Sequence, residues 1–381
     1  MDFSFDEAQQ LFRDSVDRFV AEHYDFETRQ RIVATDDGYL PEHWQRFAEL
    51  GWLALPFPEG YGGLDGTPVD TMIIMESFGR GLVASPYLSS VVVAGHILNR
   101  AATEQQKQAL LPALSDGSLR LTFAFAEPTS RFDLADVSTT ATEDGAGYRL
   151  NGYKCVVHYA NTAHKVLVSA RTTGNQRDPM GVSLFLVDMG ASGVSARHYP
   201  TIDGQRAADI KLDNVRVDAD DLIGDKDHAS AFIEETCDHG IAATCAEAVG
   251  AMSVLYEMTL EYIKTREQFG KTLGSFQALQ HRMVDVFMAC ELCRSMVYAA
   301  TCRLTESTAE RQCTASAAKV QVGKAGRLVG HEAIQLHGGM GMTDELPIGH
   351  YLKRLTMINT MFGDIAYHTA RFRRTANYFS L

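Results

Sequence analysis

At 381 residues the chain has room for two or three domains, and 45% hydrophobic with 22% charged residues is ordinary for a soluble globular protein. A net charge of −13 argues against a nucleic-acid role, although a local basic patch can still hold a phosphorylated ligand. No run of about 18 apolar residues points to a membrane span, and the acidic opening Met1-Asp2-Phe3-Ser4-Phe5-Asp6-Glu7 is unlike a secretory or transit peptide.

In chain order, Ser4 and Glu7 make a candidate capping box, after which Phe12, Val16, Phe19 and Val20 recur at helical spacing. Pro41 suits the first turn of a second helix, whose apolar stripe is Trp44, Phe47, Ala48 and Leu50. Pro56, Pro58, Gly60, Gly62 and Gly63 break it, and helices resume around 69–83 and 103–115. From about 120 the texture changes to β-rich runs at 121–126, 148–157, 165–170, 182–187 and 210–217, with Asp144-Gly145, Asn151-Gly152 and Asp203-Gly204 as turns. Their spacing predicts an antiparallel barrel or sandwich. Stretches at 229–265, 275–305, 309–338 and 347–377 then read as a four-helix bundle. The expected fold is α+β and mostly α, with a helical domain over 1–119, a β domain over 120–227 and a helical bundle over 228–381.

Seven cysteines, odd in number and scattered, suit a reducing cytoplasm. Cys290 and Cys293 form a C-x-x-C pair at helical spacing with Met288, Leu292 and Met296. With no second pair or histidine cluster at ligand spacing, helix-core packing is expected, and no metal.

Four segments carry candidate chemistry. The first, Tyr262-Ile263-Lys264-Thr265-Arg266-Glu267-Gln268-Phe269-Gly270-Lys271, leads into Phe276-Gln277-Ala278-Leu279-Gln280-His281, with a helix expected to end at Gly270 and another to begin near Ser275. Arg266 can fork onto a diphosphate, Phe269 can stack on an adenine, and Gln277 can hydrogen-bond it. The same residues also read as a helix hairpin with a surface arginine and a core phenylalanine. The second, Gln335-Leu336-His337-Gly338-Gly339-Met340-Gly341-Met342, allows close backbone approach to an anion, or is a helix C-cap. The third is Phe125-Ala126-Glu127-Pro128-Thr129-Ser130-Arg131-Phe132-Asp133 at a strand end. The fourth is Asn151-Gly152-Tyr153-Lys154-Cys155-Val156-Val157-His158. Both suit a planar cofactor lying against strand ends, and both also read as ordinary strand and loop.

In this order and spacing the segments resemble the acyl-CoA dehydrogenase family. The likeness covers nearly the whole chain and rests on the combination of R-E-Q-F-G-K, F-Q-A-L-Q-H and Q-x-x-G-G-x-G. It implies FAD-dependent α,β-dehydrogenation of an acyl-CoA thioester. A carboxylate takes the α-proton, the β-hydride goes to flavin N5, and electrons pass to an electron-transfer flavoprotein. The opening residues, Met75-Glu76-Ser77-Phe78-Gly79-Arg80 and Gly349-His350-Tyr351-Leu352-Lys353-Arg354-Leu355-Thr356-Met357 are most similar to small subunits of pimeloyl-CoA dehydrogenases.

The chain departs from the family pattern where the chemistry would lie. In Met361-Phe362-Gly363-Asp364, Phe362 holds the position of the usual glutamate, and an aromatic ring cannot accept a proton. The alternative base position on another bundle helix, counted back from Gly250 in Ala248-Val249-Gly250, is Gly240. The family's T-E-P-x-x-G-S-D reads with Ala126 for a flavin-bonding hydroxyl and Phe132 for a diphosphate-bonding serine. The W-I-T tripeptide reads Val156-Val157-His158. The family residues that hold the ADP half of a neighbour's flavin map to Arg266, Phe269, Gln277, Gln335, Gly338 and Gly339, and all match. The pattern implies a small subunit that completes the FAD site of a larger acyl-CoA dehydrogenase subunit in a heterotetramer. One alternative is a self-sufficient homotetramer with a relocated base, for which Asp364, His158, Asp238 and Glu247 are candidates. Another is a non-enzymatic acyl-CoA or flavin-binding protein.

Overall fold

The computed structural model describes residues 5–376. The first helix, α1 (Glu7–His23), is capped by Asp6, whose carboxylate accepts from the Gln9 amide at 2.8 Å while the Gln9 side chain accepts from Asp6 N–H. The capping box of the described residues is thus Asp6 with Gln9, and Ser4 of the expected box lies outside the described residues. Then come α2 (Phe26–Ala34), α3 (Pro41–Glu49), α4 (Pro68–Gly81), a π-helical turn over Leu88–Ala94, α5 (Gly95–Ala101) and α6 (Glu104–Ser115). Pro41 opens α3 as expected, and Trp44 and Phe47 are its buried face.

The β segment comprises β1 (Leu121–Ala124), β2 (Thr140–Asp144), β3 (Gly147–His158), β4 (Lys165–Arg171), β5 (Val182–Asp188), β6 (Val194–Pro200), β7 (Arg206–Asp218) and β8 (Leu222–Ile223). They form one connected sheet in the order β6-β7-β3-β2-β4-β5-β8, with β1 beside β4. The pairing is antiparallel except that β4 runs parallel to β1 and, at one rung, to β2. Asn151-Gly152 is not a turn. It sits inside β3, where the register with β7 shifts, and a side chain at 152 would collide with Thr139. The glycine answers a close approach rather than a reversal of the chain.

The helical segment holds α7 (Ser230–Thr265), a small hairpin of β9 (Glu267–Gln268) and β10 (Lys271–Thr272), α8 (Gln277–Cys302), α9 (Thr308–His337), α10 (Ile348–Thr360) and α11 (Ile365–Thr375). The last predicted helix is thus two, broken at Phe362 and Gly363, both with positive φ (56° and 122°). α7 is long and apolar enough to cross a membrane by length and composition, although polar residues interrupt it. Its apolar stretch is 78% buried within the protein, the pattern of a core helix.

Packing divides the chain into two compact units: Met1–Arg31, Pro68–Val83 and Ile241–Leu381 in one, Ile32–Thr67 and Ala84–Gly240 in the other. The second is centred on the sheet, with Leu150, Val166, Val168, Phe185, Val187, Ile210 and Val215 fully buried. Each such side chain contributes about 1.5–3 kcal/mol relative to exposure. In the first unit, α9 turns Ala315, Ala318, Val322, Gly326 and Gly330 inward, so neighbouring helices approach closely. α4 and α7 meet backbone to backbone: a Cβ at Gly79 would strike the Glu247 carbonyl, and one at Gly250 the Glu76 carbonyl. This contact fixes the register of α7, and Gly240 falls in the helix interior. Cys290 and Cys293 are buried on α8, as expected, and burial pushes the Cys290 thiol up to about 12.

Candidate functional site

The bundle tip is built by three helix ends. α7 stops at Thr265, five residues before the expected end, because Phe269 and Gly270 (φ 57° and 80°) reverse the chain in a tight two-residue hairpin turn. The Tyr262 ring stacks on His337 with centroids 4.3 Å apart, and Ile263, Met283 and Leu336 form a buried cluster. These contacts hold the end of α7, the start of α8 and the end of α9 together. Arg266, Phe269, Gln277, Gln335, Gly338 and Gly339 therefore share one end of the bundle, and all are exposed. Phe269 is 90% exposed, touching Phe276 edge-on at 6.2 Å, so the reading of a core phenylalanine fails. Gly338 ends α9 at φ 61°, ψ −139°, a conformation reserved for glycine. A Cβ there or at Gly339 would meet nothing within 4 Å, so the backbone is open to a ligand.

The loop after β1 is tied down internally. Ala126 accepts from the Cys155 amide at 2.9 Å, which joins the loop to β3. Glu127 and Lys154 form a fully buried ion pair at 2.7 Å, and the same carboxylate takes the Ser138 and Thr139 amides and the Ser138 hydroxyl. Burial opposes ionisation of Glu127, but the Lys154 charge and these hydrogen bonds outweigh it and bring its pKa down to about 2. β3 bulges at Val156, which has φ 52° and donates its N–H to Asp209 at 3.2 Å. Asp209 also accepts from Tyr153, Arg197 and Tyr199, so the bulge is clamped. Ala126 and Phe132 bring no hydroxyl to this region, and half-buried His158 brings an imidazole. The loop keeps its scaffold while its polar side chains have changed.

The break between α10 and α11 is also held from within. Lys319, buried in α9, donates to the carbonyls of Ile358 and Met361. His368 Nε2 lies 3.0 Å from the Phe362 carbonyl. Burial lowers Lys319 to about 8, and burial with the Lys319 charge lowers His368 to about 3, so His368 is neutral and donates to that carbonyl. Neither residue was singled out from sequence. The available signal was a lysine within the small-residue face of α9. Two candidate bases are engaged elsewhere. Asp364 caps α11, accepting from the Tyr367 amide at 2.8 Å. Glu247 is held bidentately by Arg354 at 2.5 and 2.6 Å, both side chains being buried.

Residues behind the small-subunit likeness are also ties within this unit. Glu76 accepts from Arg13 and Arg294, Arg80 pairs with Glu257 at 3.0 Å, and Tyr351 donates to the Arg80 carbonyl.

Comparison with known proteins places this architecture. Residues 6–118, 122–215 and 231–376 match the N-terminal, middle and C-terminal domain models of acyl-CoA dehydrogenases. The chain is 30% identical over 366 residues to the probable acyl-CoA dehydrogenase YngJ of Bacillus subtilis, covering 93% of each. It is similar to the ChsE4–ChsE5 complex structure from Mycobacterium tuberculosis, with 26% identity, TM-score 0.90 and complete coverage of both chains (100%). It is also similar to the Tcur3481–Tcur3483 steroid ACAD variant, with 29% identity, TM-score 0.87 and 97% of each chain covered. These matches run along its length, and the chain belongs to the acyl-CoA dehydrogenase family, oxidoreductases that act on CH–CH donors with FAD.

Proposed function

We propose that this chain is the small subunit of a heteromeric acyl-CoA dehydrogenase, completing a partner's FAD site with its bundle tip and supplying no base of its own. The observation that carries this reading is the 90% exposure of Phe269 beside exposed Arg266 and the open backbone of Gly338 and Gly339. An aromatic face, a guanidinium, two carboxamides and uncrowded glycines fit the adenine and diphosphate of FAD. Arg266 would grip the diphosphate, Phe269 and Gln277 the adenine, and Gln335 with the glycines would line the approach. Bound FAD supplies the hydride acceptor, while this chain's part is to hold and orient the nucleotide end.

Phe362 and Gly240 offer no proton acceptor, and the engagement of Asp364 and Glu247 speaks against a relocated base at either. α8 adds an exposed apolar stripe, Val284, Phe287, Met288 and Leu292 (47–58% exposed), at the spacing of one helix face. Such a stripe suits a bundle-to-bundle interface with a larger subunit. Two of the similar structures are described as pairs of different chains, which supports a heteromer here. The substrate is an acyl-CoA thioester, with electrons leaving through an electron-transfer flavoprotein. A pimeloyl-type acyl chain rests on the small-subunit likeness, much of which is structural ties, and bulky steroid-type thioesters are the alternative.

The test is flavin content, read from visible absorbance of the chain alone and after co-expression with a family member that keeps the glutamate. The expected result is little flavin alone and a full complement in the complex. Full flavin occupancy in the isolated chain would overturn the small-subunit reading. Phe362→Glu is expected to leave the isolated chain inactive, because Ala126, Phe132 and His158 remain changed.

A further inference from the structure

We propose that His96, Glu235 and His239 form a binding site for a divalent transition-metal ion of the zinc class. None of the three belongs to the bundle tip or the sheet loop, so the inference is independent of the FAD reading. His96 lies in the first turn of α5, and Glu235 and His239 lie four residues apart near the start of α7. That spacing puts a carboxylate and an imidazole on the same helix face. α5 brings a second imidazole to them, so one donor atom from each of the three residues lies within 4.8 Å of the others.

The separations suit an ion better than direct contacts. His96 Nε2 and Glu235 Oε1 are 3.6 Å apart, beyond hydrogen-bond reach. Two donors each about 2.0–2.2 Å from a tetrahedral zinc are themselves about 3.3–3.6 Å apart. The two imidazole rings lie with centroids 3.9 Å apart and 30° between planes, so they are already neighbours, and turning a nitrogen of each toward a shared ion moves the rings apart by about 1 Å. His96 Nε2 is buried and has no hydrogen-bond partner among the described residues. A buried nitrogen in that state requires an explanation, and a bound ion supplies one. Two imidazoles and a carboxylate are a zinc donor set that leaves a coordination position for water.

One group opposes the ion. Arg100 Nε stands 3.2 Å from the same Glu235 oxygen. Its side chain is 59% exposed, so it can swing into solvent as a metal enters. Arg100 thus acts as a competing cation on the site's carboxylate.

Calorimetric titration of the full-length chain with Zn2+ and absorbance titration with Co2+ test the site. The expected result is a single Zn2+ site per chain and visible Co2+ bands of a four-coordinate ion. His96→Ala and His239→Ala should each weaken binding by at least about tenfold. Arg100→Ala should tighten it roughly fivefold, the worth of one unit charge about 4 Å away in water. Unchanged Zn2+ affinity in both histidine variants overturns the proposal, as does binding abolished by Cys302→Ser, since that thiol is exposed. Should a histidine variant fail to fold, surface-exposed Arg100→Ala decides: tightening supports the site, and its absence overturns it.

Discussion

The loop after β1 buries Glu127, Ser130 and Asp136, and the hairpin after α7 turns its side chains outward. Glu127 spends its oxygens on Lys154, Ser138 and Thr139, all within this chain. At the bundle tip, Arg266 and Gln277 are exposed and Phe269 stands 90% in solvent. In the loop the internal ties are present, while Ala126 and Phe132 carry no hydroxyl. At the tip every expected ligand side chain survived, although folding of this chain does not need them exposed. A phenylalanine held at positive φ and 90% exposed adds little to folding.

Substitutions can break that contrast, and the largest effect is expected in the loop. Lys154→Met leaves the Glu127 carboxylate buried without its cation and should cost about 3–5 kcal/mol of stability in denaturant unfolding. A loss near zero would show that the loop is not internally secured. The same pair has a pH signature. The folded pKa of Glu127 is about 2 against 4.5 for an ordinary glutamate, so its stabilisation is complete above 4.5 and falls away as the pH drops toward 2. Acid unfolding of the wild type should therefore show a loss in that window which Glu127→Gln lacks.

At the tip the expected effects are smaller and fall on binding. Arg266→Ala should weaken flavin retention by the assembled complex by about 1.5–3 kcal/mol with no change in the melting temperature of the isolated chain. Unchanged retention would sink the role assigned to the bundle tip. Phe269→Gly sharpens the contrast further. Removing a side chain from positive φ should raise stability by up to about 1 kcal/mol while flavin retention falls, so the two readouts move in opposite directions. At the helix break, Asp364→Ala should cost about 1 kcal/mol in thermal melting through loss of the α11 cap. A far larger fall in activity of the complex than in stability would instead make Asp364 a working base.

Much of the architecture was legible because it is written in local pattern. The runs at 165–170 and 182–187 alternate or saturate with apolar residues and became β4 and β5 almost to the residue. β6 was missed because Arg197, His198 and Tyr199 lack an apolar rhythm, and it pairs only at the sheet edge through β7. α2, with Arg29 and Arg31 among its nine residues, offered no apolar stripe to read. Asn151-Gly152 misled because an Asn-Gly step is a hairpin signal in isolation, whereas its glycine makes room for Thr139. At the site, the residue types at 266, 269, 277, 335, 338 and 339 were readable, but their exposure was not.

The sequence by itself determined the family, the residue types at 266, 269, 277, 335, 338 and 339, and the lack of a carboxylate at 362 and 240. These follow from residue identity and spacing along one chain, which need no folding to be counted. Only the tertiary structure decided that Phe269 lies in solvent, that Glu247 is an arginine's partner, and that His96 meets Glu235 and His239. The decisive contacts join residues as far as 143 positions apart, as His96 and His239 are, and no local propensity encodes them. They are set by how helices and strands pack, and that packing settles which polar groups are already satisfied and which await a ligand.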